Sequence, residues 1–241
     1  MYGHFFKRFF DILISFTALV ILALPMLIIA IIIRIDSKGP AIFKTHRVGK
    51  NCKSFKFYKF RSMRTEAPED CAPRLLKTED YVTKVGAFLR KTSLDELPQL
   101  FCILKGDMSI VGPRPAGLSE QDLIEARERH GANKATPGLT GLAQVCGRDI
   151  LASHPEEKAK IDGEYVRKIT MWGDIKICFK TIGKVFKHDG VVEGEAALEE
   201  ELPEEAEKEL EAAEISEQLE WQATHAAEGL QETGESSEAV V

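Results

Sequence analysis

The sequence predicts an α/β domain carried on a long apolar N-terminal helix and followed by an acidic tail. Three observations predict it. Ile12 to Ile33 is a 22-residue stretch without a charged side chain. Residues 41–190 mix short apolar runs with glycine, proline and charge, as a folded α/β domain does. Val191 to Val241 carries 17 Glu against one Lys, with few aromatic residues. The chain therefore divides into 1–40, 41–190 and 191–241.

A length of 241 residues, 44% hydrophobic and 29% charged, suits one sizeable domain with appendages. It excludes a collagen, a disulfide miniprotein and a wholly disordered chain. The net charge of −6 hides an asymmetry: residues 1–190 carry +10 and the tail carries −16. A basic body suits an anionic partner such as phosphate, nucleotide, nucleic acid or a lipid headgroup. The five cysteines, Cys52, Cys71, Cys102, Cys146 and Cys178, are odd in number and widely spaced. Neither a disulfide framework nor a structural zinc site is expected, and a reducing compartment fits.

The apolar stretch is long enough to cross a bilayer as a helix. A signal peptide would have a shorter apolar core and a small-residue cleavage site. Pro25 removes a backbone donor near the middle of the stretch and should kink it. Lys7 and Arg8 precede the run; Arg34 and Lys38 follow it. Basic residues on both flanks give no orientation by the positive-inside rule. Composition alone favours a spanning helix over a helix-break-helix hairpin that returns within one leaflet.

In the body, Tyr81 to Arg90 reads as a short helix or strand entering a turn. Ser93 reads as an N-cap, with Glu96 completing a capping box. Leu94, Leu97, Leu100, Phe101 and Leu104 form a helical apolar face that stops at Gly106. Leu118 to His130 reads as another helix, and Pro137-Gly138 as a turn. Ile161 to Lys187 is a longer amphipathic stretch interrupted near Trp172-Gly173. Its basic face with Trp172, Phe179 and Phe186 suits either a membrane surface or packing on the core. The tail cannot bury much apolar surface and reads as a solvated extension, with transient helix from Glu199 to Leu219.

The segment Ser93-Leu94-Asp95-Glu96-Leu97-Pro98-Gln99-Leu100 carries two adjacent carboxylates. In a helix they would point about 100° apart, so one can act as nucleophile or base while the other holds a metal. Alternatively, both simply favour the positive helix N-terminus. Cations surround them in sequence: Lys59-Phe60-Arg61, then Arg90-Lys91. Arg114 lies between two prolines, which restrict its backbone and suit its guanidinium to gripping phosphate. Pro137-Gly138-Leu139-Thr140-Gly141 leads to Gly147-Arg148.

In order, these motifs resemble the small monotopic phosphoglycosyl transferases, or bacterial sugar transferases. The resemblance runs from about Lys7 to Asp189. It rests on Lys7-Arg8 with Asp11, Asp36-Ser37-Lys38-Gly39-Pro40, Arg47 with Gly49, and Lys59-Phe60-Arg61-Ser62-Met63. The LDELPQL segment from Leu94, the run from Leu104 through Arg114-Pro115, the run from Pro137 to Val145 with Gly147-Arg148, and Asp162 with Tyr165-Val166 complete it.

The resemblance implies transfer of a phosphosugar from a UDP-sugar to polyprenyl (undecaprenyl) phosphate, with release of UMP. It implies a compact α/β catalytic domain on a re-entrant helix hairpin broken at Pro25, with interfacial amphipathic helices. The implied place is the cytoplasmic face of the bacterial inner membrane, in contact with membrane lipids and without nucleic acid. Asp95 matches the nucleophile, and Glu96 its acidic partner at Mg²⁺. Arg90 and Arg114 match cations near the phosphates; Lys59 and Asp162 match active-site positions, and Arg61 and Arg148 join the substrate-binding set. Asp162 reads equally well as a helix cap. The family often has serine before the proline, where this chain has Leu24. The acidic tail lies outside the resemblance, and its deletion is expected to leave transfer intact. The sugar and the oligomeric state stay open. Two alternatives remain at this level: a Mg²⁺-dependent membrane phosphohydrolase, and a membrane-anchored module that binds anionic lipid or nucleic acid.

Overall fold

The computed structural model describes residues 2–67, 81–147, 150–187, 202–219 and 222. After a short π-helical lead, Lys7–Asp36 forms α1. Strands β1 (Ile42–Val48) and β2 (Ser54–Phe60) follow, then α2 (Lys84–Lys91) and α3 (Gln99–Lys105). Next come β3 (Ser109–Val111), β4 (Ala116–Gly117), α4 (Gln121–Arg129) and β5 (Gly138–Thr140). Helices α5 (Leu142–Gly147), α6 (Pro155–Arg167) and α7 (Met171–Lys187) close the body. A further helix, α8, covers residues 204–219.

The sheets are small. One is antiparallel, in the order β2-β1-β4, and sets Phe43 opposite Lys59 and Arg47 opposite both Phe55 and Gly117. The other pairs β3 with β5 in parallel. Here the backbones approach so closely that a Cβ at Gly138 or Gly141 would meet the backbone of Gly112. Only glycine fits that seam.

The apolar segment is one 30-residue helix, and helical backbone continues through Pro25. This corrects the expected two-armed hairpin. A proline deletes one hydrogen bond and kinks a helix; it does not by itself reverse the chain. The two ends of α1 nevertheless hold the same body. At the start, the Tyr2 hydroxyl donates to Asp174 of α7 at 2.8 Å, and Lys7 pairs with the same carboxylate. Arg8 donates to the carbonyls of Ile103 and Leu104 at 2.5 and 2.8 Å, capping the end of α3. Asp11 accepts from the Ile110 backbone N–H at 2.9 Å. Midway, Ala18, Leu19 and Leu22 pack on the cluster of Phe55, Phe57, Leu100 and Ile103. At the end, Met26, Ile29, Ala30 and Ile33 pack around Phe60 and Leu89. The opposite face of α1, with Phe9, Phe16, Ile21, Leu24, Ile28 and Ile35, is exposed.

The tail differs from the sequence expectation. Residues 202–219 dock on the body: Leu202, Ala206 and Leu210 join the core around Val145, Cys146, Leu151 and Ile161, and Ala206 and Ala213 are fully buried. Pro203 stacks on Gly147. Its glutamates meet the basic face of α6 and α7, through Glu205 with Lys180 and Lys184 and Glu214 with Lys160. Residues 188–201 lie outside the described residues.

Candidate active site

The site is built around a sharp turn between α2 and α3. Thr83 caps α2 by accepting from the Gly86 N–H at 2.9 Å. After α2, Ser93 takes a left-handed conformation, φ 56°, and its side chain makes no capping hydrogen bond. Leu94–Glu96 is then a separate 3₁₀ turn, and α3 begins only after Pro98. The capping box expected at Ser93 is thereby corrected. Proline is tolerated at a helix start, so the apolar run splits there. Leu94 and Leu97 are the anchors: both pack into the cluster of Ile33, Phe60 and Leu89. Between them Asp95 and Glu96 are held nearly buried, each 9% exposed, with side chains about 120° apart.

Cations arrive from three directions. Strand β2 brings Lys59, whose ammonium sits 5.3 Å from the ring of Phe43 across the sheet. Helix α2 brings Arg90. The turn after β3 brings Arg114, which grips Glu96 with both terminal guanidinium nitrogens, at 2.7 and 3.2 Å. Burial pulls the Lys59 ammonium down to about 8; Asp95 opposes this, and Arg47, Arg90 and Arg114 reinforce it. Asp95 and these cations therefore share one electrostatic neighbourhood with Lys59. A cluster richer in cations than in carboxylates is suited to a polyphosphate.

Behind Arg114 stands a second layer. Arg127 of α4 donates to the Asp162 carboxylate of α6 at 3.0 and 2.6 Å, and to the Arg114 carbonyl at 2.8 Å. Asp162 is 1% exposed. Asp162, expected at the substrate, is buried in the middle of α6, where it holds Arg127, which in turn holds the Arg114 carbonyl. Asp162 is not a helix cap. Arg61, expected in the substrate-binding set, serves the backbone in this structure. It is buried and donates to the Ser37 and Lys38 carbonyls at 2.7 and 2.6 Å, tying down the turn after α1. Arg148 lies outside the described residues.

Sequence reasoning missed three groups. Arg47 lies 5.7 Å from the Phe57 ring and 3.6 Å from Glu120, facing the cluster from β1. It carries the resemblance but had no assigned role. Arg127 is one of two arginines in a polar helix and belongs to no motif. The ammonium of Lys158 is pulled down by burial and by Arg127, while Glu120 and Asp162 oppose this.

The sequence profile of the bacterial sugar transferases matches residues 2–188. This chain belongs to that family. The exopolysaccharide production protein PSS of Rhizobium leguminosarum bv. phaseoli is 41% identical over 187 residues, covering 73% of this chain and 92% of that protein. The UDP-glucose:undecaprenyl-phosphate glucose-1-phosphate transferase of Escherichia coli K12 is 40% identical, covering 75% of this chain and 40% of that protein. The undecaprenyl-phosphate galactose phosphotransferase of Salmonella typhimurium LT2 is 41% identical, covering 78% and 42%. This sugar transferase thus spans less than half the length of several curated relatives. Helix α8 lies beyond the residues that the family profile matches.

Proposed function

We propose that this sugar transferase moves a phosphosugar from a UDP-sugar to undecaprenyl phosphate and releases UMP. The observation that carries the reading is Asp95, nearly buried beside Glu96 in the field of Lys59, Arg90 and Arg114. The names of the relatives supply the donor and acceptor classes.

A carboxylate nucleophile divides one hard transfer into two easier ones. An Asp95 oxygen attacks the β-phosphorus of the donor. An acyl phosphate bond forms, the bond to the bridging oxygen breaks, and UMP leaves with that electron pair. The phosphate oxygen of the lipid then attacks the same phosphorus, and Asp95 leaves as carboxylate. Glu96 has both oxygens held by Arg114, which suits it to positioning, so the attack is assigned to Asp95. Anion meets anion in both steps, and fixed cations lower that barrier. Lys59, Arg90 and Arg114 supply them.

Mg²⁺ fits this donor set. It is commonly held by one or two carboxylates together with substrate phosphates. Asp95 and Glu96 are two such carboxylates, and among the described residues no group of three or more ligating side chains exists. When bound, the ion would neutralise charge on the transferring phosphoryl groups.

The membrane relation follows from α1. One body holds both ends and the middle of the apolar helix, so α1 lies along that body with its exposed face in one leaflet, at the cytoplasmic face of the inner membrane. Exposed Phe88, Phe101, Trp172 and Phe179, on helices that flank α1, extend the apolar surface.

The test is UMP release by the full chain in detergent with Mg²⁺, undecaprenyl phosphate and a panel of UDP-sugars, beside Asp95→Asn. Lipid-dependent release lost in the variant is expected. Equal release without lipid would make the protein a hydrolase instead.

A further inference from the structure

A cavity of about 330 Å³ opens directly beside Glu96 and leads away from the phosphate-binding cations. Ser93 and Glu96 form one end. Leu97, Leu100, Ile110, Leu139, Val145 and Val185 form most of its wall. Among the described residues, its cationic lining comes from Lys91 of α2 and Lys184 of α7. The Thr140 and Thr181 hydroxyls bond each other at 2.6 Å, which removes the polarity of both from the wall.

The cavity does not end inside the body. Ile110, Cys178 and Ile182 also line a second cavity, of about 350 Å³, between α7 and the start of α1. Phe10 and Ile14 form its far wall, and Ile182 is itself exposed. Ile110, Cys178 and Ile182 stand between the two cavities, so apolar surface extends from the site carboxylates to the α1 and α7 surface.

A volume near 330 Å³ is that of a small-ligand site. Most of its lining surface is apolar, and its polar members, Gln144 among them, are spread along the wall rather than gathered at one point, which suits a sugar or a diphosphate poorly. It is right for a hydrocarbon with one charged end. We propose that this groove, between the Ser93–Leu100 segment, β5 and α7, seats the first isoprenoid units of the acceptor lipid. Lys91 draws the lipid phosphate to the groove, next to Glu96, with Lys184, which also meets Glu205 of α8, further along the wall. The rest of the chain follows Ile110 and Ile182 out to the bilayer. Separate entries result: the soluble donor meets the cations of β1, β2 and α2, while the lipid arrives along α7. This inference rests on the acceptor class proposed above.

The experiment uses the full chain in detergent. First, Val185→Trp narrows the groove from an accessible helix face, and KM is measured for undecaprenyl phosphate and for the UDP-sugar. A rise of at least tenfold in the lipid KM is expected, with the donor KM within twofold. Second, an undecaprenyl phosphate probe with a diazirine on its first isoprene unit is photolysed with the unaltered protein. Crosslinks to residues 139–145 and 178–185 are expected. An unchanged lipid KM in folded Val185→Trp, parallel rises in both KM values, or crosslinks confined to α1 would each overturn the groove assignment. Should Val185→Trp fail to fold, the crosslinks decide alone. Absence of lipid-dependent turnover in the unaltered protein would instead overturn the acceptor reading itself.

Discussion

Asp162→Asn separates two roles for a carboxylate that the family resemblance places in the active site. If Asp162 touches substrate, the change should cut turnover and leave the fold alone. The structure says otherwise. Asp162 is 1% exposed and Arg127 4%, with two nitrogens of one guanidinium on one carboxylate oxygen at 3.0 and 2.6 Å. Asparagine keeps one acceptor but removes the charge, leaving a buried guanidinium uncompensated. Breaking such a pair costs about 3–5 kcal/mol. For a chain of this size, each kcal/mol lowers Tm by about 2–4 °C, so a fall of about 6–20 °C is expected. Thermal unfolding in detergent reads it. Because Arg127 also holds the Arg114 carbonyl, kcat/KM should fall as well, while the double replacement Arg127→Met with Asp162→Leu should recover much of the lost Tm. A Tm within about 2 °C of the unaltered protein, together with lost turnover, would refute the buried-pair reasoning and return Asp162 to the substrate.

Three further outcomes are expected. Arg114→Lys loses the two-nitrogen grip on Glu96 and cannot rebuild it with a point charge; kcat/KM should drop about 10²-fold with little change in Tm, measured by UMP release. Lys59 is cationic below about 8, so kcat/KM for the UDP-sugar should decline as pH rises through that value, and Lys59→Arg should flatten the decline. The unfolded chain retains the Lys59 proton up to its ordinary, higher value. Stability at this group therefore rises with pH between about 8 and 10.5, opposite to activity. Ala206→Asp places an unpaired charge in the docking face of α8 and should lower Tm by several degrees; an unchanged Tm would mean that α8 contributes nothing to the core.

What the sequence made legible was chemistry carried by contiguous residues. Asp95, Glu96 and Arg114 sit in short motifs whose spacing forces proximity or rigidity, and all three meet in the structure. Arg127 did not show, because it follows the short apolar face of Leu123 and Ala126 and nothing local marks it, rather than Arg129, as buried. Its partner is 35 residues away, a pairing that only the packing of α4 on α6 creates. Arg61 illustrates the converse: a motif position reads as a ligand contact, while a buried guanidinium equally serves backbone carbonyls. The split at Pro98 was visible in principle, since proline lacks the donor that a continuous helix from Ser93 would need. For α8, charge hid periodicity. Leu202, Ala206, Leu210 and Ala213 fall four, four and three residues apart, a narrow helical stripe that small side chains made easy to pass over.

The seating of α1 changes what an anchor means in this enzyme. An ordinary anchor is a tether, and cutting it yields a soluble catalytic domain. Here Ile33 plugs the cluster that fixes Leu94 and Leu97 on either side of Asp95 and Glu96, and Leu19 and Leu22 roof the strand that carries Lys59. A chain begun after Asp36 would open that cluster to water directly behind Asp95 and Glu96. The bilayer-facing helix is thus also the back wall of the catalytic room, and extraction conditions that loosen it should blunt the active site before they unfold the protein.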